Sequence, residues 1–351
     1  MSAPGLISVA EALALVLAGR EAVVPVRLPI RDALGLVAGE TVLAPGPVPE
    51  RPVAQRGGIA VVSAELIGAS PYAPALVVES PTPIAAGELL PAGTDAILPA
   101  DAASQVGALI EISQPAYPGE NVTLAGTDLP AGSAIIREGE RVTPATVLAL
   151  DIARMREVAV RRPGFRVLLP AGKGGGTAES HWLRTTLEML GCAPSAGDRT
   201  DLSFAFTDAP EPDMAAGQIS VGIALRPGAW AGRLDDARCD PALILPARFD
   251  GMVAMFHALI LPLVARLTGQ ALRVETRPLT RKIVSMVGFS EIALLRRSGG
   301  SYEPLAVGQV TLAALLAADA IVLIPPESEG AAAGTPLAAI PIHDPLGPIR
   351  A

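Results

Sequence analysis

The stretch FRVLLPAGKGGGTAESHWLRTTLEMLG, Phe165–Gly191, decides the fold class. Its opening, FRVLLPA, is a short apolar run that reads as a strand buried on both faces. After the glycines, Trp182, Leu183, Thr186, Leu187 and Leu190 return at helical spacing on one side, and Gly191 supplies a stop. The pattern is strand, loop, helix. It repeats downstream. LSFAFTDA from Leu202, ISVGIALRPG from Ile219 and ALILPA from Ala242 read as strands, and FDGMVAMFHALILPLVARLTG, Phe249–Gly269, as a closing helix. Such alternation predicts a mostly parallel sheet with ligands at the C-terminal ends of its strands.

The loop between the first strand and helix then becomes a candidate anion site. Lys173, Gly174, Gly175, Gly176 and Thr177 follow a strand and precede a helix. Consecutive glycines let backbone N–H groups approach a phosphate, and Lys173 adds a point charge. The loop fits neither the P-loop nor the dinucleotide glycine pattern. The alternative is a connection left over from a deletion. Lys173 and Lys282 are the only lysines, the rest of the 27 basic residues being arginine.

A second candidate is LPARFDG, Leu245–Gly251. Pro246 ends a strand, Arg248 can hold a phosphate-like oxyanion bidentately, and Asp250 either orients that arginine or caps the next helix. Asp208, at the end of LSFAFTD, reads as a ligand or as a turn residue, and Arg226 in LRPG as a weaker anion contact. Arg281 and Lys282 form either a basic spot or a solvated pair. His181 and His257 lie among apolar residues and read as core or surface groups.

Toward the N-terminus, Ser8 with Glu11 three residues on is a capping-box signature, and Gly19 closes that helix. Asp32 is read as the start of a short helix ALGLVA. From Pro45 to about Pro130, short runs at Ile59–Val62, Ala75–Val78, Ala96–Leu98 and Leu109–Ile112 alternate with turn residues, the texture of a small β domain. TPATVLALDIARM returns to helix, with Thr143 as N-cap and Pro144 at the first helical position. After about Gln270 the texture is β again, interrupted by one helix, VTLAALLAAD.

The composition narrows the function. With 351 residues the chain has room for several cores, and with 50% hydrophobic but 3% aromatic residues aliphatic side chains must fill them. A net charge of −8 and no basic tract argue against nucleic acid. Cys192 and Cys239 match no metal spacing. The N-terminus lacks the basic start of a signal peptide, and the apolar run Met252–Ala265, broken by His257 and Pro262, reads as a buried helix rather than a membrane span. The expected compartment is the cytoplasm.

Three motifs carry a family resemblance. GENVTLAGTDLPAGSAIIREGERVTPATVLAL, Gly119–Leu150, is the strongest; LPAGTDAILP, Leu90–Pro99, and LAADAIVLIPPESEGAAAGTPL, Leu316–Leu337, support it. ISVAEALALVLAG and LPIRDALGLVAGETVLAP fit the same opening. Together they resemble the MoeA family of molybdopterin molybdenumtransferases, to which the C-terminal part of gephyrin is related. The resemblance implies an α/β multidomain fold. A helical N-terminal domain would comprise 1–45 and 131–163, with a β-rich domain inserted at 46–130. A central MogA-like α/β domain with a parallel-rich sheet would span 164–270, and a β-barrel-like C-terminal domain 271–351. It implies binding of molybdopterin or its adenylylated form, insertion of molybdate with release of AMP, Mg2+ as an auxiliary ion, and a homodimer. Other cofactor-assembly proteins or a molybdoenzyme would be its partners.

This sequence departs from the family at acidic positions. Gly57 stands where the family has an aspartate, PAGKGGG replaces an acidic strand end, and LPARFDG replaces Leu-Pro-Gly-Asn-Pro. Asp128 remains at the matching position and would face the cleft from the partner subunit; Asp95 also fits its motif. The losses leave two readings: a working transferase using Asp128 and Asp208, or a catalytically degenerate protein that binds or carries the cofactor.

Overall fold

The computed structural model describes residues 6–107, 109–168, 177–195, 200–207, 218–228, 230–234 and 242–349. The chain divides into two compact units. One comprises the residues up to Glu40, Arg137–Pro144 and Glu157 onward; the other comprises Thr41–Ile136 and Ala145–Arg156.

In the first unit, helix α1 (Val9–Leu17) starts at the expected capping box: Ser8 Oγ accepts from the Glu11 N–H, and the Glu11 carboxylate accepts from the Ser8 N–H. The six-stranded sheet runs in the order 193–194, 164–168, 202–207, 242–246, 230–234, 218–222. Its first four strands are parallel, 230–234 runs antiparallel to them, and 218–222 runs antiparallel to 230–234. The strand Gly164–Leu168 buries Phe165 and Val167 but leaves Arg166 only half-buried, so it is not buried on both faces as read from its sequence. Its neighbour is: Leu202, Ser203 and Phe204 are all enclosed.

ISVGIALRPG is not one strand. Gln218–Gly222 pairs with Trp230–Leu234 as an antiparallel edge hairpin. Ile223 then bridges Ile7, and Leu225–Arg226 pairs with Ser290–Glu291 of a different sheet. The expected helix at Asp32 is also absent, because Gly35 adopts φ +81° and the segment resolves into turns before a short strand at Val37–Ala38.

The closing helix runs from Phe249 to Thr268. It comprises α-helical Phe249–Met255, a π-turn at Phe256–Ile260 and α-helical Leu261–Thr268, ended by Gly269 at φ +70°. The wide turn precedes Pro262, whose ring cannot sit against a normal i−4 carbonyl and which has no N–H to give it. This helix is long and apolar enough to cross a membrane by composition, yet 83% of its apolar window is buried inside the protein. It is a core helix. Met252, Met255, Leu259 and Leu263 pack in one cluster with Phe165, Leu187, Phe204 and Leu245.

The C-terminal strands share this unit. Ser290–Ser298 alternates its side chains between two cores: Ile292 and Leu294 join the α/β cluster, while Ala293 and Leu295 pack with Tyr302, Ala320 and Ala339. The second unit, which takes in helix α2 (Pro144–Ile152) from Ala145 on, follows the same period in its strands. Ile59, Val61, Ala96 and Leu98 enter one core, and Ala60 and Ile97 enter another on the opposite face.

Candidate functional site

The C-terminal ends of the parallel strands are the natural ligand position of such a sheet. Thr207 is in register with Pro246, so two of these ends are level. Two strands lead from this edge into helix starts. After Gly164–Leu168 and its loop comes α3 (Ala178–Met189), capped by Thr177, whose Oγ1 accepts from the Ser180 N–H at 3.2 Å. Thr177 O accepts from His181 N–H and from Ser180 Oγ. Thr177 is therefore a structural cap, and the N–H groups of Ala178 and Glu179, one and two places into the helix, have no partner among the described residues. Lys173, Gly174, Gly175, Gly176 and Asp208 lie outside the described residues.

The second helix start follows Ala242–Pro246. Arg248, not Asp250, is the N-cap, and it makes no side-chain cap bond. The helix begins at Phe249, so Asp250 falls in the first turn instead of capping it. There its carboxylate accepts from the Gly251 N–H at 2.9 Å and from Arg248 Nε and Nη2 at 3.2 and 3.1 Å. A carboxylate in a first turn complements the positive end of the helix dipole. The Arg248 side chain is 80% exposed, and the charge-assisted bond to Asp250 holds its guanidinium pKa above the ordinary value.

Arg226 lies beside this helix start. Gly228, at φ +98°, packs backbone to backbone on Gly251: a Cβ on Gly228 would stand 2.8 Å from Gly251 Cα. A Cβ on Gly251 would stand 2.9 Å from Pro246 Cγ. Two glycines thus seat the Arg-Pro-Gly loop on the helix. Arg226 Nη1 lies 3.5 Å from Glu291 Oε1 and 3.2 Å from Met286 Sδ. Glu291 was not singled out in the sequence, since nothing local marks a glutamate in a β run as a partner of a distant arginine.

The remaining sequence candidates separate. Asp128 is exposed in the second unit, and its carboxylate makes no hydrogen bond or ion pair with the described residues. Asp95 is structural: Ser63 donates its N–H and Oγ–H to the carboxylate at 2.7 and 2.6 Å. Arg281 donates to Pro304 O, and Lys282 is exposed. His257 sits in the π-turn with Nδ1 2.9 Å from Val253 O, edge-on to Phe256, and burial pushes its pKa down to about 4. Cys192 is buried, which raises its thiol pKa to about 12. Among the described residues no three His, Cys, Asp or Glu side chains cluster as a metal would require. The carboxylates of the described residues therefore do not fit Mg2+ as a resident ion.

Residues 7–152 match the family described as MoeA N-terminal region (domain I and II). Molybdopterin molybdenumtransferase 2 of Mycobacterium tuberculosis is 29% identical over 162 residues, covering 41% of this chain. The match spans 40% of that relative's length, well under two thirds of it. Two structures of the molybdopterin biosynthesis MoeA protein from Pyrococcus horikoshii superpose over 95% of this chain and 98% and 99% of theirs, with TM-scores of 0.72 and 0.65 and identities of 22% and 20%. A molybdenum cofactor biosynthesis protein from Pyrococcus furiosus gives a TM-score of 0.59 at 16% identity over 95% of this chain and 99% of its own. At these identities the likeness shows a shared multidomain fold of mixed sheets and few helices.

Proposed function

We propose that the chain is a member of the MoeA family, whose N-terminal region its residues 7–152 match, and that it acts in molybdenum cofactor biosynthesis. It binds molybdopterin or its adenylylated form at the C-terminal ends of the parallel strands, in the α/β part at 164–270. The observation that carries this reading is the pair of helix starts at one sheet edge, Thr177 before α3 and Arg248 before Phe249–Met255. Helix starts turn unpaired N–H groups and positive dipole ends toward an anion. Both the pterin phosphate and molybdate are such anions. Lys173, Gly174, Gly175, Gly176, Arg226, Pro246, Arg248 and Asp250 would complete the contacts. The proposed layout keeps a helical domain at 1–45 and 131–163, a β-rich domain at 46–130 and a C-terminal β domain at 271–351, with the protein working as a homodimer.

In the first form of this reading the protein is a transferase. The two dithiolene sulfurs replace one molybdate oxygen, which leaves as water with the two thiol protons; a water molecule attacks the phosphoanhydride, and AMP leaves while the pterin keeps its own phosphate. Asp128 and Asp208 are the carboxylates for that chemistry. In the second form the protein binds or carries the cofactor, or hands it to a molybdoenzyme, without catalysis. One observation favours the second: the Asp250 carboxylate is already engaged by Arg248 and by the Gly251 N–H. The separating experiment incubates the protein with adenylylated molybdopterin, with and without molybdate and Mg2+, and follows AMP. Molybdate-dependent AMP release abolished by Asp128→Ala supports the transferase. Binding without release supports the carrier.

A further inference from the structure

Glu291 is 4% exposed, among the few charged residues enclosed in the protein. A buried carboxylate is costly unless its oxygens are met by donors. Here Ser285 Oγ donates at 2.9 Å and the Met286 N–H at 3.0 Å, both to Oε2. The other oxygen, Oε1, faces Arg226 Nη1 at 3.5 Å. The space for this carboxylate is made by Gly308, at φ +64°, where a Cβ would lie 2.4 Å from Oε1. The backbone fixes the pairing as well. Arg226 and Glu291 are register partners on parallel strands, and the Ser290 N–H donates to Ala224 O at 2.8 Å.

The ion pair is too long for a strong hydrogen bond, so it orients the guanidinium without saturating it. Arg226 Nε and Nη2 have no partner among the described residues, and the side chain is 38% exposed. Two residues further on, Gly228 sits on Gly251 at the helix start beside Arg248. The arrangement ties one end of an arginine fork to Glu291 and Met286 of the C-terminal sheet, while the backbone two residues on is seated on the helix start at the strand ends.

We infer that Glu291 is a positioning residue: it holds Arg226 so that the free side of the guanidinium contacts an oxyanion bound at the strand ends. This inference deepens the proposed function and rests on it for the location of the site. Its ligand class is a tetrahedral oxyanion, whether free or carried on a larger molecule. Glu291 itself touches no ligand.

The test uses the full chain and inorganic phosphate as probe. Phosphate binding is measured by calorimetry in wild type, Glu291→Gln, Arg226→Ala and the double variant, and the Arg226 Nε–Hε resonance is followed by NMR through the same titration in wild type and Glu291→Gln, with thermal unfolding recorded for each. Arg226→Ala identifies the resonance. Expected is a saturable shift in wild type, a dissociation constant raised about tenfold in Glu291→Gln, and binding by the double variant no weaker than by Arg226→Ala alone, because a residue acting through another is not additive with it. Should Glu291→Gln fail to fold, Glu291→Asp, which keeps the charge and withdraws it from Arg226, takes its place with the same expectation. Equal phosphate affinity in wild type and the Glu291 variant would overturn the inference, as would additive losses in the double variant or a wild-type Arg226 signal that phosphate never moves. Molybdopterin binding is measured separately, so a silent Arg226 beside intact molybdopterin binding removes this inference and leaves the proposed function standing.

Discussion

Gly228→Ala tests whether the Arg-Pro-Gly loop is seated on the helix start by backbone contact. The new methyl group would meet Gly251 Cα at 2.8 Å, its O at 3.1 Å and its C at 3.3 Å. All three are backbone atoms and cannot swing away. The φ of +98° adds strain of roughly 1–2 kcal/mol for an L-residue. Overpacking against rigid neighbours costs about 1–3 kcal/mol. Together the loss is about 2–5 kcal/mol. Gly251→Ala provides the contrast. Its closest approach, 2.9 Å, is to the Pro246 ring, which can pucker away, and alanine gains about 1 kcal/mol over glycine inside a helix. Its net cost is therefore much smaller, about 0–2 kcal/mol by the same terms. The assay is urea unfolding of the two single variants side by side, read by the tryptophan fluorescence and far-UV signals. A Gly228→Ala protein as stable as wild type, or less perturbed than Gly251→Ala, would refute the backbone-contact reasoning.

Other outcomes follow from single sites. Gly58→Ala should destabilise the second unit strongly, since its Cβ would meet Leu98 O at 2.0 Å, whereas Gly57→Asp should fold normally because the nearest atom to a Gly57 Cβ is 3.6 Å away; proteolysis of the two variants compares them directly, and equal sensitivity would contradict the geometry. His257 has a folded pKa of about 4, below its unfolded value, so it stays neutral in the fold and protonates first in the unfolded chain. Its stabilising contribution is intact above about pH 6.5 and is lost as pH falls from there to about 4, by at most about 3 kcal/mol at 1.36 kcal/mol per pH unit. The stability difference between wild type and His257→Leu, measured by urea unfolding across that range, should shrink toward acid pH; a pH-independent difference would be inconsistent with a buried neutral imidazole. Arg248→Ala removes an exposed pair with Asp250, so Tm should be unchanged while molybdopterin affinity falls about tenfold, a typical loss for a charge-assisted contact. A lowered Tm with unaltered affinity would make Arg248 structural.

Much of the α/β layer could be read locally. Trp182, Leu183 and Leu187 repeat at helical spacing, Gly269 stops the long helix, and Ser8 with Glu11 marks the first helix. The misread elements are those settled by distant partners. ISVGIALRPG looks continuous because each residue in it is apolar or small up to Arg226. Yet it breaks at Ile223, where the backbone leaves one sheet to meet Ile7 and then the strand carrying Glu291. No local period encodes that change of partner. DALGLVA failed as a helix for a nearer reason, since Gly35 turns the chain with a positive φ.

The site was legible as residue types and loop positions, less so as pairings. Arg226, Arg248 and Asp250 were readable as polar groups at strand ends. That Asp250 holds Arg248 was one of two open readings, decided by where the helix begins; that Arg226 meets Glu291 depended on how two sheets meet. Asp95 shows the converse. Its motif is recognisable, but the Ser63 backbone and hydroxyl that occupy its carboxylate come from a separate turn.

The most direct test of the central claim is equilibrium binding of molybdopterin to the purified full chain, compared with Thr177→Pro. That substitution removes the hydroxyl that caps α3 and alters the loop leading into it. The account predicts saturable binding by wild type and at least tenfold weaker binding by the variant, with the far-UV spectrum retained. No binding by wild type, or equal binding by both proteins, would contradict a molybdopterin site at the strand ends.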